Sequence, residues 1–228
     1  MREGFPNLVR DARAVRVFWI GLAAFAGLRA AVAALMPLSG EEAYYWVYSR
    51  TLQACYYDHP PMAAYLIRAC TEVFGHGVLP VRLTALLCHA GTAAIVFGCV
   101  RRATGDDVKA AWAGGAFAVG LFFAAAGTMI LPDGPLFFFW AAALWFVIEG
   151  LDPRRRRLFV PAGAALALAG LSKFHAVLLA ASIGAALLLS TRRRAYLRSG
   201  WFWLMALLAA LCLVPILLWQ AGEGWPTF

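Results

Sequence analysis

Long apolar runs, separated by short basic clusters, set the pattern of this chain. Predominantly apolar stretches at about 15–38, 81–100, 108–130, 135–149 and 200–220 each have roughly the length of one membrane-spanning helix, about 20 residues. A further apolar stretch, 158–189, is too long for one helix and short for two, and Ser172-Lys173-Phe174-His175 interrupts it. A single span there would put the arginines at 154–157 and those at 192–194 on opposite sides. A hairpin returns both clusters to one side, so the pattern predicts two spans, 158–171 and 175–190. The first run exceeds the roughly 7–15 apolar residues of a signal peptide and reads as a retained span. The prediction is an all-α polytopic transmembrane bundle of about seven spans in a single membrane domain, residues 1–228.

The one long polar interruption is the loop 39–80. Ser39-x-x-Glu42 is a capping-box signature and predicts a helix start. Tyr44, Tyr45, Trp46 and Tyr48 would anchor that helix at headgroup level. After Pro60-Pro61, the residues Met62, Tyr65, Leu66, Ala69 and Val73 recur at helical spacing, with Arg68, Thr71 and Glu72 opposite. They predict a second helix lying in the interface.

Composition agrees with a bilayer environment: 63% of residues are hydrophobic and mean hydropathy is +0.72, against roughly 45–50% apolar in soluble domains. The net charge of +8 does not point to nucleic acid, because no basic stripe is interleaved with stacking aromatics. Instead, 15 of the 20 basic residues fall at four places: Arg2 to Arg16, 101–109, 154–157 and 192–198. With the N-terminus inside, all four face the cytoplasm, as the positive-inside rule requires. The loop 39–80 is then outside. Trp19, Trp112, Trp201 and Trp203 fall near inner span ends, and Trp46, Trp219 and Trp225 near outer ones. The five cysteines form no metal pattern, although Cys55 and Cys70 share the outer loop and leave a disulfide open.

The candidate chemistry is a set of ionisable groups that this topology brings to the outer face. Glu42 can close the capping box with Ser39, a task for which Gln would also serve. Glu41 has no such task, and the helix macrodipole favours its ionised form. Such a carboxylate can take a proton from an acceptor hydroxyl; the alternative is a plain first-turn residue. Asp58 and His59 read as a helix start, a wall of the site, or two ligands of a metal, which remains unsupported. Asp133, in Pro-Asp-Gly-Pro, reads as a turn residue. Lys173 either snorkels to the interface or binds a phosphate. Arg29, inside the first span, either faces the bundle or snorkels.

Four ordered strings carry a family resemblance: Gly-Glu-Glu-Ala-Tyr-Tyr-Trp from Gly40, Tyr-Tyr-Asp-His-Pro-Pro from Tyr56, Leu-Pro-Asp-Gly-Pro-Leu-Phe-Phe-Phe-Trp from Leu131, and Gly-Leu-Ser-Lys-Phe-His-Ala-Val-Leu-Leu from Gly170. Together they resemble the protein mannosyltransferase and aminoarabinose transferase group, polytopic glycosyltransferases with the C-type fold, and most closely its bacterial envelope members. The resemblance implies inverting transfer of a sugar from a polyprenyl-phosphate donor to a lipid, glycan or protein hydroxyl on the outer face of the bacterial inner membrane. It implies Glu41 as catalytic base, at a position where the family usually carries Asp. It implies Glu42, Asp58, His59 and Asp133 as substrate-binding residues, with Lys173 near the donor phosphate. No cofactor beyond the lipid-linked donor is implied. The expected partners are the bilayer, the donor, an envelope acceptor and a possible membrane subunit. The family continues past the point where this chain ends, Trp225-Pro226-Thr227-Phe228, so the chain is expected to lack a C-terminal part. A transporter or flippase-like protein, and a non-catalytic membrane subunit, are the competing readings.

Overall fold

The computed structural model describes residues 9–226; Arg2, Thr227 and Phe228 lie outside them. The described residues form eleven α-helices and two 3-10 turns. There is no sheet among them, only a single bridge between Val9 and Asp106. The helices are α1 (Ala12–Leu35), α2 (Gly40–Arg50), α3 (Met62–Phe74), α4 (Val78–Thr104), α5 (Asp107–Val119), α6 (Leu121–Ala126), α7 (Asp133–Gly150), α8 (Phe159–Ser172), α9 (Ala176–Leu189), α10 (Gly200–Leu211) and α11 (Leu213–Gly222). Four stretches are long and apolar enough to cross a membrane: α1, α4, α7 and the α10–α11 pair, Gly200–Gly222.

Local chemistry sets the helix ends. The Asp11 side chain caps α1 by accepting from the Arg13 and Ala14 amides. Asp106 caps α5 in the same way. Gly105 ends α4 with φ of +69°, a left-handed geometry that suits glycine. The predicted third span is not continuous. Gly120 takes ψ of 123°, outside the helical region, and separates α5 from the short α6. Residues 158–189 do form two helices, α8 and α9, turning at Lys173 to His175. Each has 14 residues, about 21 Å of rise, less than the roughly 30 Å of a hydrocarbon core.

Two helical groups share α4 and α7 as their common wall. One core joins α1, α4 and α5 through Phe18, Leu22, Ala93, Phe97 and Ala110; Phe18 stacks on Phe97 at 4.6 Å. The other joins α7, α8, α9 and α10 through Ala143, Phe159, Leu166, Leu179 and Met205. Close approach of α8 to α10 depends on Gly163, where an added Cβ would lie 2.7 Å from the Met205 carbonyl oxygen. The helices α2 and α3 pack with α4 through Tyr45, Ala63, Ile67, Val81 and Ala85.

The helix expected after Pro60-Pro61 forms as α3, and small residues make up much of the face it packs on the protein. Met62, Ala63, Ala64, Ile67 and Thr71 are buried, whereas Ala69 and Val73 are exposed. Small residues let α3 approach α2 and α4 closely, and Thr71 satisfies its hydroxyl on the Ile67 carbonyl at 2.9 Å. Larger apolar residues are left for the outer surface. Cys55 and Cys70 are not joined. The Cys55 thiol lies against the Tyr56 and His59 carbonyls, and the Cys70 thiol meets the Thr84 hydroxyl at 3.0 Å.

Arg29 faces the bundle. It is buried, and it donates to the Ala124 carbonyl at 2.8 Å and the Thr128 hydroxyl at 3.1 Å. It thereby shares the Ala124 carbonyl with the Thr128 hydroxyl and ties α1 to the broken segment. At the end of the bundle carrying the arginine clusters, Glu149 pairs with Arg102 and Arg155, and Asp107 pairs with Arg101 at 2.6 Å.

Candidate active site

The N-terminus of α2 is fixed by a buried polar node. Ser39 and Glu42 form the expected capping box: the Glu42 amide donates to Ser39 Oγ at 3.3 Å and the Ser39 amide to Glu42 Oε2 at 3.0 Å. The Glu42 carboxylate also accepts from Arg82, Nε to Oε1 at 2.7 Å and Nη2 to Oε2 at 2.6 Å. The Ile130 amide adds a bond of 3.2 Å. Arg82 spends its remaining donors on the carbonyls of Ala33, Met36 and Pro37, at 2.7–2.9 Å. One ion pair thus binds the end of α1, the start of α2, the start of α4 and the segment before α7.

Both partners of this pair are essentially without solvent exposure, 1% for Arg82 and 0% for Glu42. Burial pushes the Glu42 carboxyl up, but Arg82 and the two amides outweigh it and hold it below its ordinary value. Glu42, expected among the substrate-binding residues, is not in the lining of the cleft; its carboxylate meets the Ser39 and Ile130 amides and Arg82. Arg82 escaped the sequence reading. The available signal was an arginine at the head of an apolar run, where charge is costly without a partner.

In front of this node is a cleft of about 510 Å³, into which five of the six expected residues converge: Glu41, Asp58, His59, Asp133 and Lys173. They come from four local settings. Glu41 is in the first turn of α2, exposed; among the described residues its carboxylate has no hydrogen bond or ion pair. Asp58 and His59 come from the coil between α2 and α3. Asp133 opens α7 as a first-turn residue rather than sitting in a free turn. Lys173 follows the end of α8 in extended conformation.

Lys173 resolves neither as a snorkelling side chain nor as a free cation. Its ammonium donates to both Asp133 oxygens, at 2.8 and 3.0 Å. The pair is about a quarter exposed on each side, so it faces the cleft and can still meet a ligand. Tyr44 and Tyr45 complete the wall. The Tyr44 hydroxyl donates to Asp58 Oδ2 at 2.8 Å and also meets the Tyr48 hydroxyl. Burial and these neighbours push the Tyr44 phenol well above its ordinary value. Burial also raises Tyr45, to which the nearby carboxylates of Glu41, Asp133 and Asp58 add. His59 moves the other way. Burial lowers it and Lys173 adds to that, outweighing the three carboxylates. A neutral imidazole beside a lysine and several acids is therefore the resting state at pH 7. Among the described residues, no three His, Cys, Asp or Glu side chains gather in a way that could hold a metal ion.

The dolichyl-phosphate-mannose-protein mannosyltransferase family matches residues 58–219. The chain belongs to this family. A lipid A galacturonosyltransferase of Rhizobium johnstonii is 31% identical over 182 residues, which cover 79% of this chain and 38% of that protein. The crystal structure of ArnT from Cupriavidus metallidurans in the apo state superposes with a TM-score of 0.74 at 21% identity, covering 94% of this chain and 44% of ArnT. The fold is therefore shared with ArnT, and the chain spans about two fifths of the length of these relatives. Family membership together with four long apolar stretches makes this a polytopic membrane protein. The matched segment begins at Asp58 and includes Arg82, Asp133 and Lys173; Glu41, which also lines the cleft, and Glu42 behind it precede that segment.

Proposed function

We propose that this chain carries the active site of an inner-membrane glycosyltransferase that moves a sugar from a polyprenyl-phosphate donor to a hydroxyl of an envelope acceptor. The observation that carries the reading is a single cleft holding an unpaired carboxylate, Glu41, together with the Lys173–Asp133 pair. The chemistry divides between them. Glu41 takes the proton of the acceptor hydroxyl as its oxygen attacks the anomeric carbon of the donor sugar. The bond from that carbon to the phosphate oxygen breaks, and the polyprenyl phosphate leaves with the electron pair. Attack opposite the leaving group inverts the anomeric centre. Lys173 supplies positive charge to the departing phosphate, and Asp133 holds the ammonium in place beforehand. Asp58 and His59 line the sugar, with His59 neutral and able to donate and accept.

The site faces outward in this reading. The N-terminus and the arginine clusters are cytoplasmic, the α2–α3 segment lies at the outer face, and α8 with α9 forms a hairpin, giving seven spans. The acceptor is an envelope molecule, and the galacturonosyl transfer to lipid A of the Rhizobium relative is one example of the class. The test is Glu41→Gln in the full-length protein, reconstituted with polyprenyl-phosphate sugars and envelope acceptors. Transfer should fall by about 10²–10⁴-fold, the usual contribution of a general base, while donor binding is retained. Undiminished transfer by Glu41→Gln would remove this residue as the base.

A further inference from the structure

A second cleft, of about 370 Å³, opens on the far end of α2 and is built largely of aromatic rings: Tyr48, Tyr56, Tyr57 and Trp219, with Gln53 and Glu223 among its polar lining. Its walls are fixed. Tyr48 and Tyr56 stack at 4.1 Å with an interplanar angle of 10°. The Tyr56 hydroxyl donates to the carbonyls of Tyr48 at 2.9 Å and Thr51 at 3.0 Å. The Trp219 indole N–H donates to the Gln53 amide oxygen at 3.1 Å, which leaves the Gln53 NH₂ group available. Tyr57 is 62% exposed, and Glu223 is exposed at the end of α11. Among the described residues, the Glu223 carboxylate has no hydrogen bond or ion pair.

We propose that this cleft binds a saccharide ring of the acceptor. Aromatic faces take up the apolar C–H face of a sugar ring, while an amide and a carboxylate at the rim suit its hydroxyls. A lipid chain would leave both polar groups unmatched, and a phosphate headgroup would meet the negative charge of Glu223. The position also fits. Glu41, Tyr44 and Tyr48 are spaced by three and four residues, on one face of α2. Glu41 and Tyr48 are about 10 Å apart along its axis, and the Tyr44 and Tyr48 hydroxyls touch across the gap. A glycan seated on the aromatic cleft can therefore present a hydroxyl toward Glu41. The acceptor role rests on the transferase reading; saccharide binding does not.

The experiment is a titration of the protein in lipid nanodiscs with the neutral disaccharide chitobiose, followed by saturation-transfer NMR and by Trp fluorescence. Saturable binding is expected. Tyr57→Ala and Glu223→Gln, both at exposed positions, should each weaken it about tenfold, with thermal stability unchanged. Glu41→Gln should leave chitobiose binding intact, whether or not it abolishes transfer, so failure of one reading is separable from failure of the other. Absence of saturable binding overturns the assignment. So does binding that survives both Tyr57→Ala and Glu223→Gln, or that is displaced by short-chain phospholipid alone.

Discussion

Glu41 and Glu42 are neighbours in sequence with opposite surroundings, and substitutions at the two should separate cleanly. Read as a capping residue alone, Glu42 would tolerate Gln. The structure changes that expectation, because an amide cannot neutralise the Arg82 guanidinium, which is 1% exposed. Glu42→Gln and Arg82→Met should each cost about 3–5 kcal/mol, since breaking a buried pair strands the remaining charge; thermal denaturation in nanodiscs measures this. Arg82→Lys should rescue poorly, because one ammonium cannot replace a fork that serves Glu42 and three carbonyls. A matching double substitution to apolar residues should recover part of the loss. The carboxylate was legible in the sequence through the capping box; its partner is 40 residues away, and no local pattern joins them. A second residue-scale prediction concerns His59, held below its ordinary value of 6.5 by burial first and Lys173 second. Lys173→Ala removes the positive charge, so the His59 titration followed by NMR should move up toward 6.5, and Glu41→Gln should move it down. Because the folded value is depressed, the neutral ring favours the folded state above pH 6.5, and that contribution is lost as pH falls below it. Lys173→Ala should also weaken donor binding roughly ten- to a hundredfold, the loss of a charge-assisted bond.

At the scale of elements, periodicity located most helices but not their breaks or their buried faces. The α2 start was readable because Ser39 and Glu42 are three residues apart. The interruption between α8 and α9 was readable from Ser172-Lys173-Phe174-His175, and charge placement on both sides is what makes a membrane hairpin the expectation. The break at Gly120 was not readable, since no charged residue follows Lys109 up to Ile130 and the interruption is stabilised from α1 by Arg29. Which face of α3 packs on the protein was not legible for a related reason: hydrophobicity marks large side chains, whereas close helix packing selects small ones such as Ala63 and Ala64. Gly163 is the clearest case of that selection. An added Cβ would lie 2.7 and 2.8 Å from backbone atoms of Met205, which cannot rotate away. Gly163→Ala should therefore push α8 from α10 and cost about 1–3 kcal/mol. Gly184→Ala serves as the control, because nothing lies within 4 Å of the added atom. Equal melting temperatures for the two variants would mean that α8 and α10 do not approach as closely as described. Since α8 ends at Lys173, Gly163→Ala should also disturb the Lys173–Asp133 pair and raise the donor KM.

For the whole molecule, the decisive quantity is the side of the membrane on which each polar segment lies. The ionisable groups of the cleft come from α2, the coil after it, the start of α7 and the end of α8. They can form one site only if those four places share a face, and the fold brings them together. The opposite end carries the Glu149 pairs with Arg102 and Arg155 and the arginine-rich segments. Exposed Trp112, Trp201 and Trp203 lie near the starts of their helices at that same end, as an interfacial belt requires. The weakest part of a seven-span topology is the pair α8 and α9, each of 14 residues and too short to cross an unthinned bilayer upright. Single cysteines in a cysteine-free background test it directly. Leu52, His76 and His175 are exposed positions at the proposed outer face; Ala103, Arg154 and Arg193 are exposed positions at the proposed inner one. In intact cells, an impermeant maleimide should modify the first three and spare the last three, and detergent should make all six reactive. The informative site is His175, at the hairpin tip. Labelling of Arg193→Cys from outside, with Arg154→Cys protected, would make α8 and α9 a single through-span. Lys173 would then be near mid-membrane, out of reach of a phosphate at the outer surface, and the one-face site would fail with it.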